Sequence, residues 1–254
     1  MAPLRCRNLM NRFAAALGNH PRRLTAVVVV LMAAAGWLWL IASVVSVGLA
    51  EALMPAMEDY LSARGIALGL AMWVAMIFAM MLPTAAPTFK AYADTVGGGA
   101  LALIAGYTTV WLAASLVAVA VQTWLVHLGA LAPHMAPAGV ALSASILIAA
   151  GIYQFTPLKW ACLYRCRNPR VADVEAGACA AYRIGVEEGL ACLGCCWAMM
   201  AVMFATGLMN LAAMALLGAL MGLEKLVNGV GLTYFLGVLF ILAGVILASG
   251  LVIG

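Results

Sequence analysis

The feature that most constrains this chain is a series of long apolar blocks without a single charged residue. They run Thr25–Val47, Ala67–Leu82, Ala100–Val126, Ala138–Phe155, Gly189–Leu208, Asn210–Leu223 and Gly229–Ile253. A helix needs roughly 20 consecutive apolar residues to cross the hydrocarbon core of a bilayer. Most of the blocks approach or exceed that length, while 67–82 is slightly short and 210–223 shorter still. The expected fold is therefore all-α, a polytopic transmembrane helix bundle of six or seven spans. The block 210–223 decides between the two counts, as a tilted span, a re-entrant segment or an extension of its neighbour.

Composition agrees. Of 254 residues, 67% are hydrophobic and 9% charged, against roughly a quarter charged in a soluble domain. Too few polar residues exist to cover a soluble surface. The net charge of +4 comes without basic–aromatic stripes or phosphate-cradling glycines, so nucleic acid is not an expected partner. The partner that composition implies is the lipid bilayer.

Two segments organise the chain: a basic N-terminal stretch, 1–23, and a single membrane domain, 24–254. The longest stretch expected outside the membrane, Pro157 to Glu188, is too short for a core of its own. Block 25–47 follows Arg22 and Arg23 but far exceeds the roughly 7–15 apolar residues of a signal peptide. It reads as a retained signal anchor.

Lys and Arg set the orientation, since cytoplasmic loops carry the excess. With a cytoplasmic N-terminus, Arg5, Arg7, Arg12, Arg22, Arg23, Lys90, Lys159, Arg165, Arg167, Arg170, Arg183 and Lys225 all fall inside. Only Arg64 falls outside, in a loop with Glu51, Glu58 and Asp59. The N-terminus is therefore expected on the cytoplasmic side of the membrane.

Sulfur is abundant, with 7 Cys and 16 Met, and its placement is informative. Cys192, Cys195, Cys196, Met199 and Met203 follow steps that keep side chains on one helical face. This ladder covers about 16 Å of axis at 1.5 Å per residue, and Glu188 extends it by one turn. A second ladder is Met72, Met76 and Met80, with Met81 beside it and Pro83 expected to end the helix. Cys162 and Cys166 form an i, i+4 pair in the basic stretch after Pro157. By the assigned topology these groups converge toward the cytoplasmic third.

Soft thiolate and thioether ligands select soft ions, Cu(I) above all. Zinc also accepts cysteine but seldom recruits thioethers. Cytosol-facing thiols stay reduced and free to bind. The alternative is packing, because Met fills gaps and Cys behaves as a small hydrophobe. Packing accounts for the methionine stripe taken alone, whereas three thiols on one face point to metal or redox chemistry. His127 and His134 flank an outer loop where they could assist metal capture. His20 belongs with the basic N-terminal cluster, and Cys6 and Cys179 are read as incidental. Gln154, Asn210 and the Glu224–Lys225 pair are polar residues in or at the edges of apolar blocks, where they are costly and often functional.

Several segments carry a family resemblance: Met72-Trp73 to Met80-Met81-Leu82-Pro83, Tyr153-Gln154-Phe155-Thr156-Pro157-Leu158-Lys159 followed by Cys162, Gly189-Leu190-Ala191-Cys192-Leu193-Gly194-Cys195-Cys196-Trp197, Met209-Asn210-Leu211 and Glu224-Lys225. Over about residues 65–226 the chain resembles the bacterial predicted metal-binding integral membrane proteins, also labelled copper-chaperone-like. The resemblance implies Met72, Met76, Met80, Met81, Cys162, Cys192, Cys195 and Cys196 as key residues. Ala191 stands where a larger residue such as Tyr is expected in that family.

Three functions remain in view. The first is a membrane-embedded soft-metal binder that carries or delivers copper(I), possible partners being membrane or soluble metal-accepting proteins. The second is a quinone-linked thiol-disulfide oxidoreductase using Cys192-x-x-Cys195. The third is a non-catalytic assembly subunit. No hydrolase triad, zinc-protease motif or nucleotide loop is present.

Overall fold

A computed structural model describes residues 21–51, 62–96, 100–131, 138–169, 177–207 and 210–250. Cys6, His20, His134, Met209 and most of the basic N-terminal segment lie outside the described residues. Every regular element among the described residues is helical: α1 (Pro21–Glu51), α2 (Ala63–Met76), a π turn (Ile77–Met81), α3 (Leu82–Val96), α4 (Ala100–His127), α5 (Val140–Tyr153), α6 (Pro157–Arg167), α7 (Ala178–Thr206), α8 (Leu211–Leu226) and α9 (Gly231–Ala248). The expected all-α class holds.

Among the described residues, five helices are long and apolar enough to cross a membrane: Thr25–Ser46, Ala63–Tyr92, Ala100–His127, Ala178–Thr206 and Gly231–Ala248. A sixth is reached if α5 and α6, bent by 66° to each other, form one span. The doubtful block 210–223 is α8, a helix of 16 residues. Large apolar side chains point outward from the peripheral helices, including Leu38 (68% exposed) on α1 and Phe235 (62%) on α9. So much exposed apolar surface is a liability in water and ordinary in lipid. The chain is thus compatible with a multi-pass membrane protein.

Two boundaries differ from the sequence reading. Pro83 does not end its helix, since α2, the π turn and α3 run on through Tyr92. Proline takes a backbone N–H away from the helix, and here a side chain supplies a donor: the indole N–H of Trp37 donates to Ala79 O at 3.1 Å, four residues before Pro83. The π turn takes up the register change, with Leu82 N–H bonding back to Ile77 O. The second difference lies in 157–188, expected as an extramembrane stretch. Its ends are helical, and α7 starts at Ala178, well before the apolar block. A helix tolerates polar turns where neighbouring helices satisfy them, as α6 does here.

The α5–α6 break follows from local sequence. Gln154, Phe155 and Thr156 close tight i→i+3 turns onto Gly151, Ile152 and Tyr153. Thr156 then N-caps α6, its hydroxyl accepting from Lys159 N at 3.3 Å, with Pro157 in the first turn. This is the usual chemistry of a helix start.

Helices α4 and α7 meet backbone to backbone, and glycine makes it possible. A Cβ at Gly106 would collide with the Tyr182 carbonyl, and one at Gly185 with the Leu103 carbonyl. Gly185 and Gly189 form a small-xxx-small pair of the kind that lets membrane helices approach backbone to backbone. This contact sets the position of the cysteine face of α7, which begins one turn beyond Gly189. Gly185→Ala is expected to destabilise the protein by about 1–3 kcal/mol, as overpacking does. Gly69→Ala, where an added Cβ meets nothing within 4 Å, should be tolerated or slightly stabilising through helix propensity. Denaturant unfolding of both variants in detergent checks the contrast.

Candidate metal centre

The sulfur face of α7 is buried. Cys192, Cys195 and Cys196 are 2%, 1% and 1% exposed, and their Sγ atoms all lie within 4.8 Å of one another. Cys195 Sγ is 3.3 Å from Cys196 Sγ and 3.7 Å from Cys166 Sγ on α6. Thiolates sharing one tetrahedral ion at about 2.3 Å sit about 3.8 Å apart, and Cys195 stands close to that spacing from each of these two neighbours. Cys162, Cys166, Cys192, Cys195 and Cys196 are free thiols.

Helix α6 is brought over this face by charge and hydrogen bonds. Lys159, fully buried, donates to Cys195 O at 2.7 Å and pairs with Glu224 of α8 at 2.6 Å. Arg165 reaches Glu188 at 3.1 Å and Glu187 at 3.6 Å on α7. Arg167 donates twice to Glu224 O, at 2.9 and 2.7 Å, near the end of α8 where carbonyls lack helical partners. Tyr153 closes the underside, donating to Gly194 O at 2.6 Å. The absence of a side chain at Gly194 matters too, because the Cys162 sulfur occupies the space where a Cβ would stand.

Cys192 has its own surroundings. Lys225 Nζ lies 3.1 Å from its sulfur and 2.7 Å from Thr84 Oγ1. Tyr107 Oη lies 3.0 Å from the same sulfur and 3.1 Å from Met81 O. The tyrosine has one proton for two acceptors: it can hold Met81 O and receive a thiol proton, or turn to a thiolate. Thr84 also donates to Met81 O, at 2.9 Å. The end of the π turn is thereby linked through two hydroxyls to the ammonium and the sulfur. Such π turns recur at functional sites.

The other sequence candidates divide clearly. Met72, Met76, Met80, Met81, Met199 and Met203 are all buried, at 2% exposure or less. Met80 packs its thioether where a Cβ on Gly218 of α8 would fall. Glu188 is buried at 3%, and its carboxylate is held by Tyr92 Oη at 3.1 Å and by Arg165, outside the close sulfur group. It faces Cys192 across a small cleft also lined by Thr88, Phe89, Cys166 and Lys225. Cys162 is half-buried, and Cys179 and His127 are exposed. Asn210 caps α8, accepting from Ala213 N at 3.0 Å. Gln154 is fully buried, and neither polar atom of its side chain has a protein partner.

Sequence reading overlooked Tyr107, Tyr92 and Thr84. A lone tyrosine inside the apolar block 100–126 was the available signal for the first. Glu224 and Lys225 were noticed as a pair, yet they face different partners, because neighbours on a helix point about 100° apart.

Removing Lys159 should strand a buried carboxylate. Lys159→Met is expected to cost about 3–5 kcal/mol, and Lys159→Met with Glu224→Leu should recover most of that loss. Thermal unfolding in detergent provides the measurement. Wild-type stability of the single variant would contradict the pairing.

A family described as copper chaperone, PpoB2, matches residues 70–247. Comparison with curated proteins and with solved structures finds no match. The matched stretch takes in the π turn, α6 and the whole sulfur face of α7, and it spans well over half of the chain, which therefore belongs to the PpoB2 copper chaperone family.

Proposed function

We propose that this protein is a membrane-embedded soft-metal binder that takes Cu(I) as cargo and passes it to an acceptor protein. The observation that carries the reading is the group of three buried thiols within 4.8 Å of one another, with Cys166 in contact with it. In this reading Cys192, Cys195 and Cys196 are the holding ligands, and Met199 and Met203 continue their face with softer thioethers.

The donor set supports a soft ion. It is all sulfur, with no histidine or carboxylate in the close group, and sulfur ligands favour Cu(I) among the common metals. The copper chaperone description of the family points the same way. Bringing several thiolates together in a dry site is costly unless positive charge offsets them. Lys225 beside Cys192 offers such a charge in addition to the metal itself. The basic residues concentrated on α6 and near the N-terminus support a cytoplasmic N-terminus and a site toward the cytoplasmic face of the inner membrane.

Metal analysis tests the proposal. Protein purified in detergent under reductant and loaded with Cu(I) is expected to retain about one ion per chain. The triple variant Cys192→Ser, Cys195→Ser, Cys196→Ser should retain less than about a tenth of that, because hydroxyls are poor ligands for soft ions. Equal copper in both proteins, or a preference for zinc over Cu(I) in the wild type, would sink the copper reading.

A further inference from the structure

From the position of one sulfur we infer that Cys166 is the exchange ligand, through which Cu(I) enters and leaves the buried site. This inference rests on the copper reading above.

The three close thiols and the sulfur of Cys166, which touches Cys195, are not equivalent. Cys192, Cys195 and Cys196 are buried, whereas Cys166 is only half-buried. Its sulfur touches Cys195 at 3.7 Å, and it lines the small cleft that also reaches Cys192 and Lys225. An ion arriving through this cleft meets Cys166 at the border between the outside and the buried thiols. Cys162 is also half-buried, but its sulfur is set over Gly194 and does not line the cleft.

The helix that carries Cys166 is suited to yielding. It is short and bent by 66° from α5. The end bearing Cys166 is attached by Arg165 and Arg167: the contacts to Glu187 and to Gly229 O are exposed, while those to Glu188 and Glu224 O are more buried. The exposed members of this set hold weakly, and a helix end held partly by such contacts opens at lower free energy than a packed core. The other end is fixed by buried Lys159. Small movements of the last turn of α6 would thus carry Cys166 toward or away from Cys195 while the three holding thiols stay in place.

The exchange itself balances simply. An incoming low-molecular-weight thiol complex of Cu(I) presents its metal to Cys166. A Cu–S bond forms to the Cys166 sulfur and the Cu–S bond to the donor breaks. The proton of the Cys166 thiol leaves with the donor sulfur. Copper stays Cu(I), and nothing is oxidised or reduced. Transfer inward to Cys195 repeats the same step between neighbouring sulfurs.

The test separates holding from exchange. Wild type, Cys166→Ser and Cys162→Ser are loaded from Cu(I)–glutathione, and copper is measured at equilibrium. Release to excess bicinchoninate, a Cu(I) chelator, is then followed by absorbance. Cys166→Ser is expected to keep wild-type copper at equilibrium but release it about tenfold more slowly or worse, a change of one decade in rate. Cys162→Ser should release at the wild-type rate. In the metal-free wild type, brief treatment with N-ethylmaleimide should alkylate Cys166 ahead of Cys192, Cys195 and Cys196, a readout that needs no substitution. Release from Cys166→Ser at the wild-type rate, loss of equilibrium copper in that variant, or alkylation of the buried thiols first would overturn the inference and leave the holding site intact. A wild type that binds no Cu(I) at all would instead overturn the copper reading itself.

Discussion

The buried ammonium of Lys159 is the interaction on which the rest of the site depends. It sits on α6, binds a backbone carbonyl of α7 and pairs with a carboxylate of α8. One cation thus joins three helices within one turn of the cysteines. A charge with no water around it is tolerated only when its partners are fixed and close. The pair therefore ties the crossing of α6 over α7 to the register of α8. Without it, nothing in the apolar surfaces alone would select the placement that brings Cys166 against Cys195.

A second constraint acts from the opposite side of α7. Gly106 and Gly185 let α4 and α7 touch backbone to backbone. That close approach brings Tyr107 to Cys192, and Tyr107 in turn reaches the carbonyl of Met81, the last residue of the π turn. In lipid, helices gain little from burying apolar surface against one another, so packing of small residues and interhelical hydrogen bonds decide which faces meet. The centre uses both devices: glycine on the α4 side of α7 and charged hydrogen bonds on the α6 and α8 sides. The thiols lie between a rigid contact and a polar clamp, an arrangement in which protein contacts alone fix their positions.

How much of this was legible in the sequence varies from residue to residue. The ladder Cys192–Cys195–Cys196 could be read because helical periodicity alone puts those positions on one face. The N-cap of α6 at Thr156 went unread, although its signal, a threonine before Pro157, is local. Pro83 misled, because its effect depends on whether another group replaces the missing donor, and Trp37 lies 42 positions away from the carbonyl it serves. The pairing of Glu224 was likewise hidden. Its sequence neighbour Lys225 offered an obvious partner, while the true partner is 65 positions away.

By itself the sequence determined that the chain is helical, that its helices are apolar enough for a membrane, and that three thiols share a face of one of them. These follow from composition and periodicity, which act within a segment and need no knowledge of its neighbours. Only the tertiary structure decided that Cys166 joins those thiols, that Lys225 and Tyr107 attend Cys192, and that Glu188 is engaged by Tyr92 and Arg165. Those contacts join groups far apart along the chain, and they arise where helix crossing angles, glycine contacts and a buried ion pair are satisfied together. Periodicity names the face of a helix, and packing decides what that face meets.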